Sequence, residues 1–351
     1  ESLSRADYKS YVEKAGGNAA DYNGWKKIVD EVFRKLSENS GNPAFHIEYS
    51  ILKEKSFNAA AFPGGQFVIH SGLLDSIDRM VQEKKGTPES SPDFAKQRAH
   101  YLAPVIAHEL GHYYNKHTYK SYLAKIEKTA PQKTDEEESR ELELDADLSG
   151  ILLLEKSGYG TDSMETVLEK LNEIRQKALN AGEKINLYFE THPSPHERLA
   201  QLKKDTGGIH AWASKMEYIF SDIQSGKNLE KAVKELDKVL IDYPKNLDFQ
   251  KAKAVALHKI WLESDILENL KMKGIIDLPS FRDSMIFDLK AKKSTMKKIP
   301  GDRAKFTKAV TAYRNILKSV EDPWLLSNFS VLLAYSPEKE DEKNALELAE
   351  K

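Results

Sequence analysis

The chain contains no cysteine. That excludes a disulfide framework and a thiolate-ligated metal site, and it suits an exported protein as well as a cytosolic one. No apolar run approaches the roughly 18–20 residues needed to cross a bilayer, so no membrane-spanning helix is expected within this sequence. Excess charge is missing too: 53 Lys and Arg against 55 Asp and Glu leave a formal net charge of −2. Such a balance offers no general attraction to nucleic acid or to anionic lipid. What remains is globular in character: 40% hydrophobic and 31% charged residues over 351 positions, enough for a sizeable core and for two domains. The chain opens on Glu1 and stops at Lys351 inside a helix-like run. It reads as a trimmed segment from which any signal peptide or lipid-bearing cysteine would already be gone.

Against that background the stretch His108-Glu109-Leu110-Gly111-His112 carries the most chemistry. Residues four apart lie one above the other on a helix, so His108 and His112 can grip one Zn²⁺ together. Glu109 then points beside the metal, where it can take a proton from a water molecule. By chance, a chain of this composition shows the pattern only about 0.02–0.03 times. Val105, Ile106 and Leu110 give the helix an apolar side, and Pro104 is read as lying in its first turn, where a missing N–H is harmless.

Upstream, residues 22–38 show helical periodicity (Trp25, Ile28, Val29, Val32, Phe33, Leu36), followed by a turn and a strand-like alternation over 46–52. Residues 57–74 read as two short strands around Pro63-Gly64-Gly65, running into a helix after Gly72. The polar stretch 80–97 looks like an exposed insertion, and 128–139 like a second charged stretch, before a helix over about 139–156. From about 217 the character changes. Ala232, Leu236, Val239, Leu240 and Pro244, then Ala309, Tyr313, Ile316, Leu317 and Pro323, mark two helix pairs, and a third start appears at Asn344. These offsets resemble a degenerate tetratricopeptide (TPR) array, although 263–303 fits no clean repeat.

A hydrolytic zinc site needs three protein ligands and an open position. The run Glu141-Leu142-Glu143-Leu144-Asp145-Ala146-Asp147 is the obvious source of the third. Glu143 and Asp147 share one helical face, with Gly150 a turn further on to allow close helix approach. Glu143 can reach the metal while Asp147 accepts the spare N–H of a ligating histidine. Glu141 and Asp145 remain register-shifted competitors. A solvated acidic face is the ordinary reading of such a run, but the apolar Ile151, Leu152, Leu153 and Leu154 that follow argue for a buried helix.

The four motifs NAAAFPGGQFVIHSGLL, HELGH, ELDADLSG and HPSPHERL, in that order, resemble the family-48 zinc metallopeptidases, the group of the HtpX-like and CAAX-prenyl proteases. With a helical-repeat tail, the chain is most similar to the periplasmic barrel-assembly-enhancing type. The resemblance implies zinc on His108, His112 and Glu143, Glu109 as general base, Asp147 behind the ligands, and His192 and Arg198 as further site residues. His192 is read either as a donor to the oxyanion or as a fourth ligand that shuts the resting site. Arg198 can pair with Asp147 or with another carboxylate of the site. His117 is read as packing or as support behind the ligands, and His196 as exposed. Asn58, Gly64, Gly65 and Gln66 are assigned to substrate backbone, since an edge strand binds an extended peptide without regard to sequence. The chain departs from the family at Ala60, where an aromatic is usual, and in a longer 75–98 segment; both bear on substrate preference.

The expected architecture is mainly α with a small β-sheet, an α+β minigluzincin-like protease domain over residues 1–214, followed by an all-α TPR-like domain over 215–351. The expected activity is zinc-dependent endopeptidase action on protein or peptide substrates in protein quality control, with one Zn²⁺ per chain. The tail is read as a site for a protein-complex partner. A periplasmic or exported location follows, with a cytoplasmic one left open. The rival reading is a chaperone or scaffold with a latched or vestigial zinc site; an intact Glu109 argues against it, since a scaffold has no use for a general base.

Overall fold

The computed structural model describes residues 2–19, 21–40, 47–83, 91–126, 136–180, 192, 194–206, 208–263, 302–320, 322–334 and 344. The expected turn after Ser40, the polar stretch 84–90, the charged stretch 128–135 and the continuation of the third repeat start fall outside these residues. So does nearly all of the segment that fits no clean repeat. The chain divides into two compact units, Glu1–Glu217 and Tyr218–Lys351.

The first unit is built around one small sheet and a buried helix. Helix α1 (Ser2–Lys14) precedes α2 (Trp25–Glu38), and strands β1 (Glu48–Leu52), β2 (Ala59–Ala61) and β3 (Gln66–His70) follow. The strand order is β1-β3-β2, with β1 parallel and β2 antiparallel to β3, so β3 is central and fully buried and β2 forms an edge. The hairpin between β2 and β3 turns at Gly65, whose φ of 80° is the left-handed region that glycine enters without strain. Then come α3 (Ser71–Glu83), α4 (Pro92–Tyr114), α5 (His117–Ile126), α6 (Glu136–Lys156), α7 (Asp162–Asn180) and α8 (Pro195–Thr206). The six apolar positions that the periodicity assigns to α2 are all buried, and α2 packs on α4. Arg98 of α4 fastens this layer: it holds Asp78 of α3 at 2.6 and 2.8 Å and lies over the ring of Trp25, whose indole N–H also donates to Asp78.

Two expectations need correction. Residues 80–97 are not a continuous exposed insertion, because helix α3 reaches Glu83 and α4 begins at Pro92. Pro104 likewise lies in the middle of α4, not in its first turn. The helix start is set by Ser91, whose hydroxyl accepts from the Phe94 N–H, with Pro92 at the first position and Asp93 beside the positive helix end. Pro104 therefore removes one internal backbone hydrogen bond. Burial of almost every residue from Tyr101 to Tyr114, His112 alone half-buried, outweighs that loss.

The second unit takes in the end of α9 (Ile209–Ser225) and then α10 (Leu229–Asp242), α11 (Leu247–Glu263), α12 (Arg303–Leu317) and α13 (Pro323–Ala334). The helix pairs read from the sequence are present, with α10 against α11, α11 against α12 and α12 against α13. Trp261, Tyr313, Leu325 and Leu332 are core residues there. The core also encloses a Lys251–Asp322 ion pair at 2.7 Å and His258, whose Nδ1 lies 3.3 Å from the Tyr313 hydroxyl. Burial, with the nearby Lys259 charge, lowers the pKa of His258 to about 3.

Candidate metal centre

Helices α4 and α6 cross with their backbones almost in contact, and glycine makes that possible. A Cβ on Gly111 would lie 2.5 Å from the carbonyl oxygen of Ala146, and one on Gly150 would lie 3.1 Å from the Ala107 carbonyl carbon. Gly150 was legible as a close-approach residue; Gly111, inside the His-Glu motif itself, was not singled out. The crossing brings the His108 and His112 side chains against the face of α6 that carries Glu143 and Asp147.

Four side chains converge there: His108, His112, Glu143 and His192 each direct one donor atom into a space where all four atoms lie within 4.8 Å of one another. The Nε2 atoms of His108 and His112 are 3.2 Å apart, and the Glu143 carboxylate lies 3.2 Å from His112 Nε2 and 3.4 Å from His108 Nε2. A tetrahedral ion with bonds of about 2.0–2.1 Å holds its ligand atoms about 3.3 Å apart. The donor set therefore fits such an ion. His192 approaches through the segment before α8, and its Nδ1 is 2.7 Å from Glu143 Oε2. Burial alone would raise the Glu143 pKa, but His192, His112 and His108 hold it well below the usual carboxylate range, so it is a carboxylate.

Behind His108 stands a fixed frame. Asp147 Oδ1 lies 2.9 Å from His108 Nδ1, which leaves Nε2 as the ring atom facing the cluster, the one a metal would take once its proton is displaced. Arg198, one turn into α8, grips Asp147 with Nε at 2.9 Å and Nη2 at 2.5 Å, a bidentate pair buried on both sides. Burial would raise the Asp147 pKa; the Arg198 charge and the His108 contact instead lower it to about 2. His108 is pushed down by burial and by Arg198 and up by Asp147 and Glu143; the upward pull prevails, to about 9. With no metal bound this imidazole holds a proton through neutral pH, so a metal ion must displace one.

Glu109 is buried beside the cluster. Its Oε2 accepts from the backbone N–H of Ala61 at 3.0 Å, and its Oε1 has no hydrogen-bond partner among the described residues. Ala61 lies on edge strand β2, so the candidate base and the candidate substrate strand touch directly, a link that no spacing in the sequence announced. Asn58, Ala60 and Phe62 face β3 through their backbone groups, since His70 N–H donates to the Asn58 carbonyl and Phe62 N–H to the Gln66 carbonyl. The backbone of Ala59 and Ala61 consequently faces outward. Gln66 belongs to the central strand, paired with Glu48, and its side-chain amide folds onto the Gly64 carbonyl at 2.9 Å. Gly64 and Gly65 form the hairpin turn, and Asn58 is buried. Ala60, the departure from the family pattern, packs against Tyr8, Leu52 and Val68, a cluster to which α1 contributes.

Of the register competitors, Glu141 is exposed, while Asp145 is buried toward His117. His117 is buried 3.1 Å from His112, and His196 is exposed. Burial, His112 and Lys120 push the His117 pKa well below its ordinary value, so it is neutral.

Two imidazoles from one helix and a carboxylate from the next, with a second carboxylate poised beside them, define a metal-dependent hydrolase type of site. Residues 26–132 and 130–206 match the profile of Peptidase family M48, and the chain belongs to that family. It is 26% identical over 201 residues to the mitochondrial metalloendopeptidase OMA1 of Arabidopsis thaliana, covering 51% of this chain and 35% of that protein. It is also 26% identical over 230 residues to the beta-barrel assembly-enhancing protease of Yersinia pestis, covering 56% of this chain and 43% of that protein. The matched regions thus span less than half the length of these relatives. Among the described residues no helix is long and apolar enough to cross a membrane.

Proposed function

We propose that this chain is a zinc-dependent endopeptidase that cleaves protein substrates. The observation that carries the reading is the convergence of His108, His112 and Glu143 at separations of 3.2–3.4 Å, with His192 grouped with them and the Glu109 carboxylate on the same helix turn. His108, His112 and Glu143 would hold the zinc. When bound, such an ion supplies polarisation of the scissile carbonyl and acidification of a water molecule to a pKa of about 7.

The protein groups do the rest. Glu109 takes the proton from that water and passes it to the leaving amine, while Ala61 N–H keeps the carboxylate aimed. The backbone groups of β2 that face away from β3, other than the Ala61 N–H, bind the extended substrate, and the Gly64-Gly65 turn beside them lets it come close. Asn58 and Gln66 serve this strand from within, by fixing its pairing and its turn. Asp147 and Arg198 keep His108 in the tautomer that presents Nε2. His192, already grouped with the three ligands, closes the resting site as a fourth ligand and withdraws when substrate docks.

The names of both relatives support a protease, and that of the Yersinia protein connects it to β-barrel assembly. We carry this to the present chain as protein quality control in an exported, periplasmic setting, with the helix pairs of the second unit acting as a TPR-like surface for a partner or substrate. The closed set of four donors also suits the rival reading, a scaffold with a latched site. Casein cleavage by the full chain, with and without chelator and after zinc is restored, separates the two. Cleavage that is lost with chelator and returns with zinc is the expected result; no cleavage by zinc-loaded protein, neither wild type nor His192→Ala, would favour the scaffold.

A further inference from the structure

The two histidines that α4 gives to the cluster are backed in different ways. His108 leans on the Asp147–Arg198 pair, whereas His112 leans on His117. Asn115 ends α4, Lys116 takes a left-handed φ of 61°, and α5 starts at once, which sets His117 under the last turn of α4. Its Nδ1 lies 3.1 Å from Nδ1 of His112, with the rings edge to face at 74°. Its Nε2 faces Asp145 Oδ2 at 4.0 Å, and both side chains are buried.

Two nitrogens at 3.1 Å share one proton, and the choice of owner matters. For His112 to offer Nε2 to a metal, its Nδ1 must carry the hydrogen and donate it to His117. His117 then carries its own proton on Nε2, toward the Asp145 carboxylate. In the reverse arrangement His117 donates, His112 is protonated on Nε2, and that N–H points at His108 and Glu143 where the metal belongs. A bare Nε2 lone pair on His117 would also confront the buried carboxylate. At 4.0 Å the contact is too long for a direct hydrogen bond but close enough for the charge to decide between the two arrangements.

We propose that His117, oriented by Asp145, is a positioning residue that holds His112 in its metal-binding tautomer and direction. The proposal rests on His112 being a ligand, and the test keeps the two apart. Apparent zinc affinity of the full chain is measured by competition with a chromophoric chelator, together with the visible spectrum of the cobalt-loaded protein and the melting of the metal-free protein. His117→Phe fills the buried space without an acceptor and should weaken zinc about 10–100-fold with an altered cobalt spectrum, as loss of an outer partner does. His117→Asn, whose amide oxygen can stand where Nδ1 stood, should recover most of that loss. Asp145→Asn should weaken zinc several-fold. Should the phenylalanine variant fail to fold, His117→Leu takes its place. Wild-type affinity in the folded apolar variant, or an asparagine variant no better than it, overturns the proposal. The reference is His112→Ala: if zinc affinity survives there too, the ligand reading itself falls.

Discussion

Glu109 has one carboxylate oxygen committed to the edge strand and the other buried with no hydrogen-bond partner among the described residues. A ligand would show both histidines and Glu109 around the same point; a base needs the adjacent position it occupies. Glu109→Gln should therefore keep its zinc and its fold while cleavage falls by at least ~10²–10⁴-fold. Elemental analysis and a casein assay on the same preparation check it, and near-normal cleavage would remove the hydrolytic role. His192 gives a prediction of opposite sign. If it closes the resting site, His192→Ala should cleave faster than wild type, including self-cleavage on storage. A role as oxyanion donor would instead slow the reaction about 10²–10³-fold, and that outcome would rule out the latch.

At the scale of elements, the crossing of α4 and α6 is what brings Glu143 and Asp147 to His108 and His112. Alanine is a better helix former than glycine by about 1 kcal/mol, so Gly111→Ala would stabilise an isolated helix. Here the new methyl would sit 2.5 Å from a backbone oxygen of the facing helix, and the helices must part. We expect Gly111→Ala to lower the melting temperature and the zinc content together, at an overpacking penalty of about 1–3 kcal/mol. A variant with raised stability and full zinc would show that the helices are not held this close. The helix of the candidate metal site was legible because its two histidines lie four apart and its second half is apolar. Its true start was not: the Ser91-Pro92 cap sits in a polar stretch that reads as loop, and Pro104 offered a plausible but false beginning. The contacts of Asp145 with His117 and of Ala61 with Glu109 stayed hidden because the partners come from different elements, and only packing brings them together. The candidate third ligand was legible only as a choice among Glu141, Glu143 and Asp145; on α6 Glu141 is exposed, Asp145 faces His117, and Glu143 lies 3.2 and 3.4 Å from His112 and His108.

On the scale of the whole molecule, the second unit carries its own titration. The His258 pKa lies near 3 in the fold and near 6.5 unfolded, so between those values the unfolded chain binds more protons. Stability of this unit is therefore full above about pH 6.5 and declines as pH falls toward 3. His258→Gln, followed by thermal melting from pH 7 to pH 4, should flatten that part of the decline; an unchanged slope would place its origin elsewhere. The helix pairs of this unit were readable from small and large apolar residues at helical spacing, yet that pattern is shared by any helical bundle, so a repeat array stays a proposal.

The most direct test of the central claim, a metal held by His108, His112 and Glu143, is zinc content per chain in wild type, Glu143→Ala and Glu141→Ala. We expect one zinc in wild type and in Glu141→Ala, and a sharp loss in Glu143→Ala, because a two-histidine site is much weaker. Zinc retained by Glu143→Ala and lost by Glu141→Ala would contradict it.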